Sequence, residues 1–189
     1  MPKFPVHDAT SAPEQSKPIL EQSQRSLGFV PNLYGVLAES PALLKGYTSL
    51  SAIFEGCSLS ATERQIVLLS SSFENGCDYC MAAHTAIARM QRVAEGVVAA
   101  VRDGAAIRDP KLQALREFTR KVVRQRGWVA EKDVQSFLDA GYTKAQVLEV
   151  VLGVGLKTLS NYANHVAGTS LDAAFRPHAW SKPAAVVES

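Results

Sequence analysis

Residues 60–84 read SATERQIVLLSSSFENGCDYCMAAH, and the fold class follows from how this stretch starts, breaks and restarts. Ser60-x-x-Glu63 has the form of a capping box, in which each side chain satisfies a backbone N–H left free at a helix start. An apolar helix follows. Asn75-Gly76 breaks it, because Gly76 tolerates the positive φ of a sharp helix-to-helix turn, and Cys77 should begin the next helix. The same signals repeat on both sides of this stretch. Leu43, Tyr47, Leu50 and Phe54 form an apolar stripe at i, i+4, i+7 and i+11. Leu112, Leu115, Phe118 and Val122 form another, and Val134, Phe137 and Leu138 a shorter one. Ser40-Pro41 and Asp109-Pro110 each set a capping side chain before a proline at the first helical position. Thr143-x-x-Gln146 is a second capping box, and Gly28, Gly104, Gly127 and Gly141 sit where helices should end in a left-handed residue. Helices are therefore expected near 14–27, 32–38, 41–55, 61–75, 77–91, 94–103, 110–126, 131–140 and 144–170. No stretch shows sustained strand-like alternation. The fold class is all-α, multihelical, with the CxxC at the N-terminus of a core helix.

Composition bounds the function. At about 150 residues per domain, 189 residues suggest one domain. We place it at 1–176, with its CxxC core at about 59–91 and a loose tail at 177–189. Hydrophobic residues at 47% and charged residues at 20% are ordinary, which excludes a disordered chain. Twenty basic against eighteen acidic residues leave a charge of +2, too balanced for a nucleic-acid footprint. Three cysteines are too few, and odd in number, for a secreted disulfide scaffold. The opening MPKFPVHDATSAPEQ has no apolar stretch after its lysine, so no secretory signal is expected. No run approaches the roughly 20 apolar residues that span a bilayer. Val147 to Leu156, the most apolar window, is interrupted by Glu149, Gly153 and Gly155. The expectation is a soluble, cytoplasmic protein with reduced thiols, where a CxxC is catalytic or metal-binding.

A weak internal echo runs at an offset of 83 residues, pairing Leu59–Leu69 with Tyr142–Leu152. It would set Tyr79 opposite Tyr162, and Cys77 and Cys80 opposite Ser160 and Ala163. Two buried helices with similar caps look alike for simpler reasons.

The chemistry gathers at Cys77-Asp78-Tyr79-Cys80. A thiol in the first turn of a helix sees unpaired N–H donors and the positive end of the helix dipole. Both favour thiolate, and such cysteines fall from about 8.5 towards roughly 3.5–7.5. Sulfurs one turn apart can alternate between dithiol and disulfide. His84, four residues after Cys80, projects from the same helical face and can take the Cys80 proton. The competing reading is a metal site in which Cys57 and His84 complete the ligand set. Cys57 is poorly placed for it, since a capped helix of about 15 residues, roughly 22 Å long, intervenes. Zinc sites also gather their ligands in paired motifs. Cys57 alone reads as a small buried hydrophobe.

Residues 59–84 resemble the core of the alkylhydroperoxidase D-like branch of the carboxymuconolactone decarboxylase family. SLGFVPNLYGVLAESPALLKGY at 26–47 is similar to the N-terminal segment of the peroxidase-related members, and NYANHVAGTSLD at 161–172 to their C-terminal helix. The resemblance implies an all-helical fold that assembles into trimers or hexamers. It implies a thiol peroxidase acting on small organic hydroperoxides or hydrogen peroxide. No cofactor and no bound metal are expected. Carried onto this chain, Cys80 attacks the peroxide, Cys77 resolves the product and His84 serves a proton relay. An external dithiol, lipoyl or thioredoxin-like, reopens the disulfide. One departure stands out. The family's relay glutamate, twelve residues before the first cysteine, is Gln65 here, which can orient an imidazole but cannot accept its proton. Glu63 should point to a different face. Carboxymuconolactone-type decarboxylation needs no dithiol, so the CxxC argues against it; a non-catalytic metal-binding or oligomeric protein on the same fold is the third reading.

Other residues carry plainer expectations. His165, in Asn161-x-x-Asn164-His165, reads as a structural hydrogen-bonding residue of a long buried helix. His7 and His178 fall in loops. Tyr79 reads as a packing residue whose hydroxyl could also donate to a bound peroxide. Trp128 and Trp180 read as anchors for packing or subunit contact. Arg116, Arg120, Lys121, Arg124 and Arg126 read as a solvated helix face. Gly153 and Gly155 would permit close helix approach, within the core or between subunits.

Overall fold

Side-chain caps set the helix starts. Ser40 Oγ accepts from Leu43 N and Asp109 Oδ1 from Leu112 N. Ser60/Glu63 and Thr143/Gln146 close both expected capping boxes in full. The computed structural model describes residues 4–183. Among them run nine α-helices: α1 (Lys17–Leu27), α2 (Asn32–Leu37), α3 (Pro41–Glu55), α4 (Ala61–Asn75), α5 (Asp78–Met90), α6 (Glu95–Arg102), α7 (Pro110–Arg124), α8 (Glu131–Asp139) and α9 (Lys144–Ala167). A short 3-10 helix, Ala173–His178, follows, and the described residues contain no strand. The all-helical reading holds. Among the described residues, no helix is long and apolar enough to cross a membrane.

Helix ends shift where the backbone turns left-handed. α7 stops at Arg124 because Arg126 and Gly127 adopt φ of 54° and 85°. α9 stops before Gly168, at φ 61°.

α4 is the central element, packed by α5, α6, α7 and α9. Gln65 to Phe73 are all buried, so this helix has no solvent face in that span. Ser71 and Ser72 fit there because their hydroxyls bond back to the carbonyls of Val67 and Leu68. At the end of α4, Gly76 takes φ 68° and ψ 30°, and Cys77 N donates to Ser72 O at 2.9 Å. Asn75 Nδ2 donates to Asn161 Oδ1 (2.9 Å), which ties the break to α9.

α9 lies across α3 and α4 with one glycine on each side. A Cβ at Gly153 would stand 2.7 Å from Phe54 Cζ and Val67 Cγ1, whereas one at Gly155 would meet nothing within 4 Å. Gly153 therefore serves the domain's own core, and Gly155 faces outward. The echo ends with its caps: α9 continues unbroken past Leu159, the counterpart of Gly76. Tyr79 is 3% exposed, against 57% for Tyr162.

Several surface expectations are corrected. Arg116 is buried, and one of its guanidinium nitrogens donates to Ala105 O. Arg120 and Arg124 both pair with Glu74 of α4, and Lys121 pairs with Asp133 at 2.6 Å. The basic run thus faces α4 and α8 in part, drawn in by their carboxylates. His165 is exposed, and the buried polar residues of that segment are Asn161 and Asn164. Trp128 is also exposed. His7 bonds Glu39 at 2.7 Å. The stretch from Pro177 to Pro183 reads in the sequence as the start of a loose tail. Here Pro177 and His178 belong to the 3-10 helix, and the Trp180 ring packs on Phe73 while its Nε1 donates to Arg102 O (2.8 Å). Residues 184–189 lie outside the described residues.

The two glycines of α9 should separate cleanly. Gly153→Ala forces an overpacked contact and should lower unfolding free energy by about 1–3 kcal/mol. Gly155→Ala should leave it unchanged or raise it by about 0.5–1 kcal/mol through helix propensity. Urea denaturation of both variants measures this.

Candidate active site

The break at Gly76 makes Cys77 the N-cap of α5 and puts Cys80 in its first turn. Both sulfurs are free thiols and both are buried, Cys80 at 1% exposure. Asn164 Nδ2, from α9, donates to Cys80 Sγ at 3.2 Å and reaches Cys77 Sγ at 3.7 Å. Ser160 Oγ, one turn earlier, stands 3.8 Å from Cys80 Sγ. Burial by itself would raise the Cys80 pKa. The hydrogen bond from Cys77, the charge of Lys157 and hydrogen bonds from Ser160 and Lys157 outweigh it, and hold Cys80 well below an ordinary thiol. Cys77 moves the other way, because its proton is held in the hydrogen bond to Cys80 and because it is buried. The two thiols are therefore driven apart, Cys80 towards thiolate and Cys77 towards the protonated form.

His84 lies one turn further along α5, and both its ring nitrogens are engaged. Nε2 is 3.0 Å from Lys157 Nζ, and Nδ1 is 3.1 Å from Gln65 Oε1. A lysine ammonium only donates, so Nε2 must accept and Nδ1 must carry the ring proton. Gln65 then accepts from His84 and passes its own Nε2–H to Gln91 Oε1 at 3.1 Å. Every bond in Lys157–His84–Gln65–Gln91 points the same way. Burial and the Lys157 charge keep the His84 pKa well below that of free imidazole, so the ring is neutral. Gln65 fits this neutral ring: an amide oxygen is a sufficient acceptor. With both nitrogens committed, His84 meets Cys80 through Lys157 instead of bonding the sulfur directly.

Lys157 is 1% exposed, and among the described residues no carboxylate lies within 4.0 Å of its Nζ. Its charge acts on Cys80, which lines the same cavity. A cavity of about 370 Å³ opens beside the pair, lined by Cys80, His84, Lys157, Gln65 and Gln91 and by apolar walls that include Phe29, Phe54 and Met90. Cys77 does not line it. Tyr34 and Tyr47 do, with rings edge to face at 6.0 Å, and burial pushes both phenols above their usual range.

The structure brings together all four residues singled out in the sequence: Cys77, Cys80, His84 and Gln65. It adds Lys157, Ser160 and Asn164, which sequence reasoning missed. The signal was present: with Asn161 they form a polar stripe at i, i+3, i+4 and i+7 in an otherwise apolar helix. One alternative falls away. The Tyr79 hydroxyl donates to Asp172 Oδ2 at 2.6 Å and accepts from Leu33 N at 3.1 Å, so it has no proton for a bound peroxide. Cys57 is half-buried away from the pair, and among the described residues no three of His, Cys, Asp and Glu gather as a metal site.

The carboxymuconolactone decarboxylase family model matches residues 41–121, which hold α3 to α6, most of α7 and the whole CxxC segment. Over these residues the chain is similar to the carboxymuconolactone decarboxylase family. No curated protein matches it. Among solved structures it is similar to an uncharacterized peroxidase-related protein from Ralstonia eutropha JMP134 with an alkylhydroperoxidase AhpD core. Identity is 25% over 92% of this chain and 93% of that one, with a TM-score of 0.82. A second peroxidase-related protein, from Silicibacter sp. TM1040, shares 21% identity over 91% of each chain at a TM-score of 0.78. The debrominase Bmp8, in complex with 2,3,4-tribromopyrrole, shares 16% over 94% of this chain and 95% of that one, at 0.77. The last two are likenesses of fold. The first shows that this chain has the alkylhydroperoxidase D-like fold.

One thiolate per chain should be visible by ultraviolet absorbance at neutral pH, below the free-thiol pKa of about 8.5. Cys80→Ser should remove it and Cys77→Ser should retain it. Because the folded Cys80 pKa is depressed, its stabilisation is full above about pH 8.5 and is lost as pH falls through the folded value. Cys80→Ser should flatten that part of the stability–pH curve.

Proposed function

We propose that this chain is a thiol peroxidase that cycles Cys77 and Cys80 between dithiol and disulfide. The observation that carries the reading is the asymmetry of the pair: Cys80 lines a cavity and is pushed towards thiolate, while Cys77 does not line it and is pushed towards the protonated form. The Cys80 thiolate attacks the distal oxygen of a hydroperoxide. The O–O bond breaks, Cys80 becomes a sulfenic acid and the alkoxide departs. The Cys77 thiol then attacks the Cys80 sulfur, and its proton leaves with the hydroxyl as water as the disulfide closes. His84 and Gln65 hold the geometry around the nucleophile. An external dithiol, of the lipoyl or thioredoxin-like class, exchanges with the disulfide and restores both thiols. The apolar cavity walls favour organic hydroperoxides over hydrogen peroxide.

Treatment of reduced protein with cumene hydroperoxide should give a loss of two protons by mass spectrometry, located at Cys77–Cys80. Cys77→Ser should stop at a sulfenic acid on Cys80, and Cys80→Ser should abolish turnover with dithiothreitol. Thiols that stay inert to peroxide would refute the reading.

The oligomer implied by the family likeness has a natural seat on the outer face of α9. Leu148, Val151, Leu159, Tyr162 and Val166 are exposed there around the open Gly155. Val151→Glu with Tyr162→Glu should reduce the particle mass measured by light scattering without loss of helical circular dichroism.

A further inference from the structure

The peroxidase cycle needs an acid, and the expected glutamate position holds an amide. Alkoxide is a strong base and leaves a thiol peroxidase slowly unless a proton meets it. Gln65 can bind His84 but cannot exchange a proton with it. His84 is neutral, and its ring proton points to Gln65, away from the cavity-side nitrogen that Lys157 occupies. Tyr79 is tied to Asp172 and Leu33. Cys77 must keep its proton for the next step. Tyr34 and Tyr47 also line the cavity, but burial raises both phenols and makes them weaker donors. Lys157 remains: it lines the cavity, its charge and hydrogen bonding act on Cys80, and it is 1% exposed.

We infer that Lys157 is the catalytic acid of this site, giving its ammonium proton to the alkoxide that departs when Cys80 attacks. The inference rests on the peroxidase reading above. Charge balance in the cavity supports it. In the resting state the buried ammonium is compensated by the Cys80 thiolate, and the surrounding groups offer no substitute: His84, Tyr34 and Tyr47 are neutral, and Glu55 is exposed. Oxidation consumes the thiolate. A lysine that kept its proton would then be an uncompensated buried cation, which costs several kcal/mol. Transfer of that proton to the alkoxide leaves a neutral amine beside a neutral sulfenic acid, and later beside a neutral disulfide. The atoms and charges close: Cys80–S⁻, Lys157–NH₃⁺ and ROOH give Cys80–SOH, Lys157–NH₂ and ROH. Reduction by an external dithiol returns a proton to each sulfur, and the one on Cys80 passes to the Lys157 amine to regenerate the ion pair. His84 Nε2 aims the ammonium throughout, as a positioning residue.

A leaving-group comparison tests this. Single-turnover oxidation of Cys80 is measured by quench and mass spectrometry with cumene hydroperoxide, which releases an alkoxide, and with peracetic acid, which releases the weakly basic acetate. Each protein is assayed at a pH where ultraviolet absorbance shows Cys80 fully ionised. Lys157→Met should slow cumene hydroperoxide about 10²–10⁴-fold, the range of general acid catalysis, and peracetic acid far less. Lys157→Arg keeps the charge but does not release its proton, so it should hold the wild-type thiolate midpoint and still lose the alkyl hydroperoxide rate. Circular dichroism checks that both variants fold. Equal losses on both peroxides would reduce Lys157 to a thiolate-holding residue and overturn the inference. Unchanged rates on both would overturn it as well. Wild-type protein that is oxidised by neither peroxide would instead overturn the peroxidase reading, and the acid role with it.

Discussion

The site depends on a helix reversal completed in two residues. α4 has to end and α5 begin at Gly76–Cys77, because that is what gives the CxxC a free helix start inside the core. A residue with a side chain would be strained at the φ of 68° found there. The turn is also held from outside, by Asn75 to Asn161 and by Asn161 to Ser72. The polar stripe of α9 thus braces the backbone with one residue and the sulfurs with another, Asn164. Fold and site share a single set of contacts, and the buried helix α4 leads directly into the CxxC segment.

Charge in the cavity follows the same economy. A cation taken out of water without a carboxylate partner must find its anion elsewhere, and the thiolate is the group within reach. Each member of the pair accounts for the other: the ammonium lowers the Cys80 pKa, and the thiolate makes a buried ammonium tolerable. The neutral His84 belongs to this arrangement, since a second cation beside Lys157 would have no counter-charge. Gln65 belongs to it too. A glutamate there would place another anion next to the ring and compete for the lysine.

Much of the fold was legible because helix starts are chemically explicit. Ser40, Ser60, Asp109 and Thr143 each cap the helix they precede in the sequence. Helix ends were less legible, since Arg126 turns left-handed without being glycine. The 3-10 helix left no periodic trace, and its position is set by tertiary ties. Cys77, Cys80, His84 and Gln65 were readable because they are local, within twenty residues and two adjacent helices. Lys157, Ser160 and Asn164 come from a helix more than seventy residues away. The strong apolar content of α9 hid the polar line within it. The basic residues of α7 were misplaced for the same reason, since only the packed structure brings Glu74 to Arg120 and Arg124.

The tether at Tyr79 has a mechanical meaning. Its hydroxyl joins α5 to the N-terminal end of α2 and to Asp172 just before the 3-10 helix, and Asp172 in turn accepts from Asn32 N. The residue between the two cysteines is thereby bolted to segments from both ends of the chain. Unwinding the first turn of α5 would break those bonds together. The backbone around the two sulfurs is thereby held in place from several sides at once. In such a frame Cys80 meets the outside through the cavity that it lines, and Cys77 does not line that cavity.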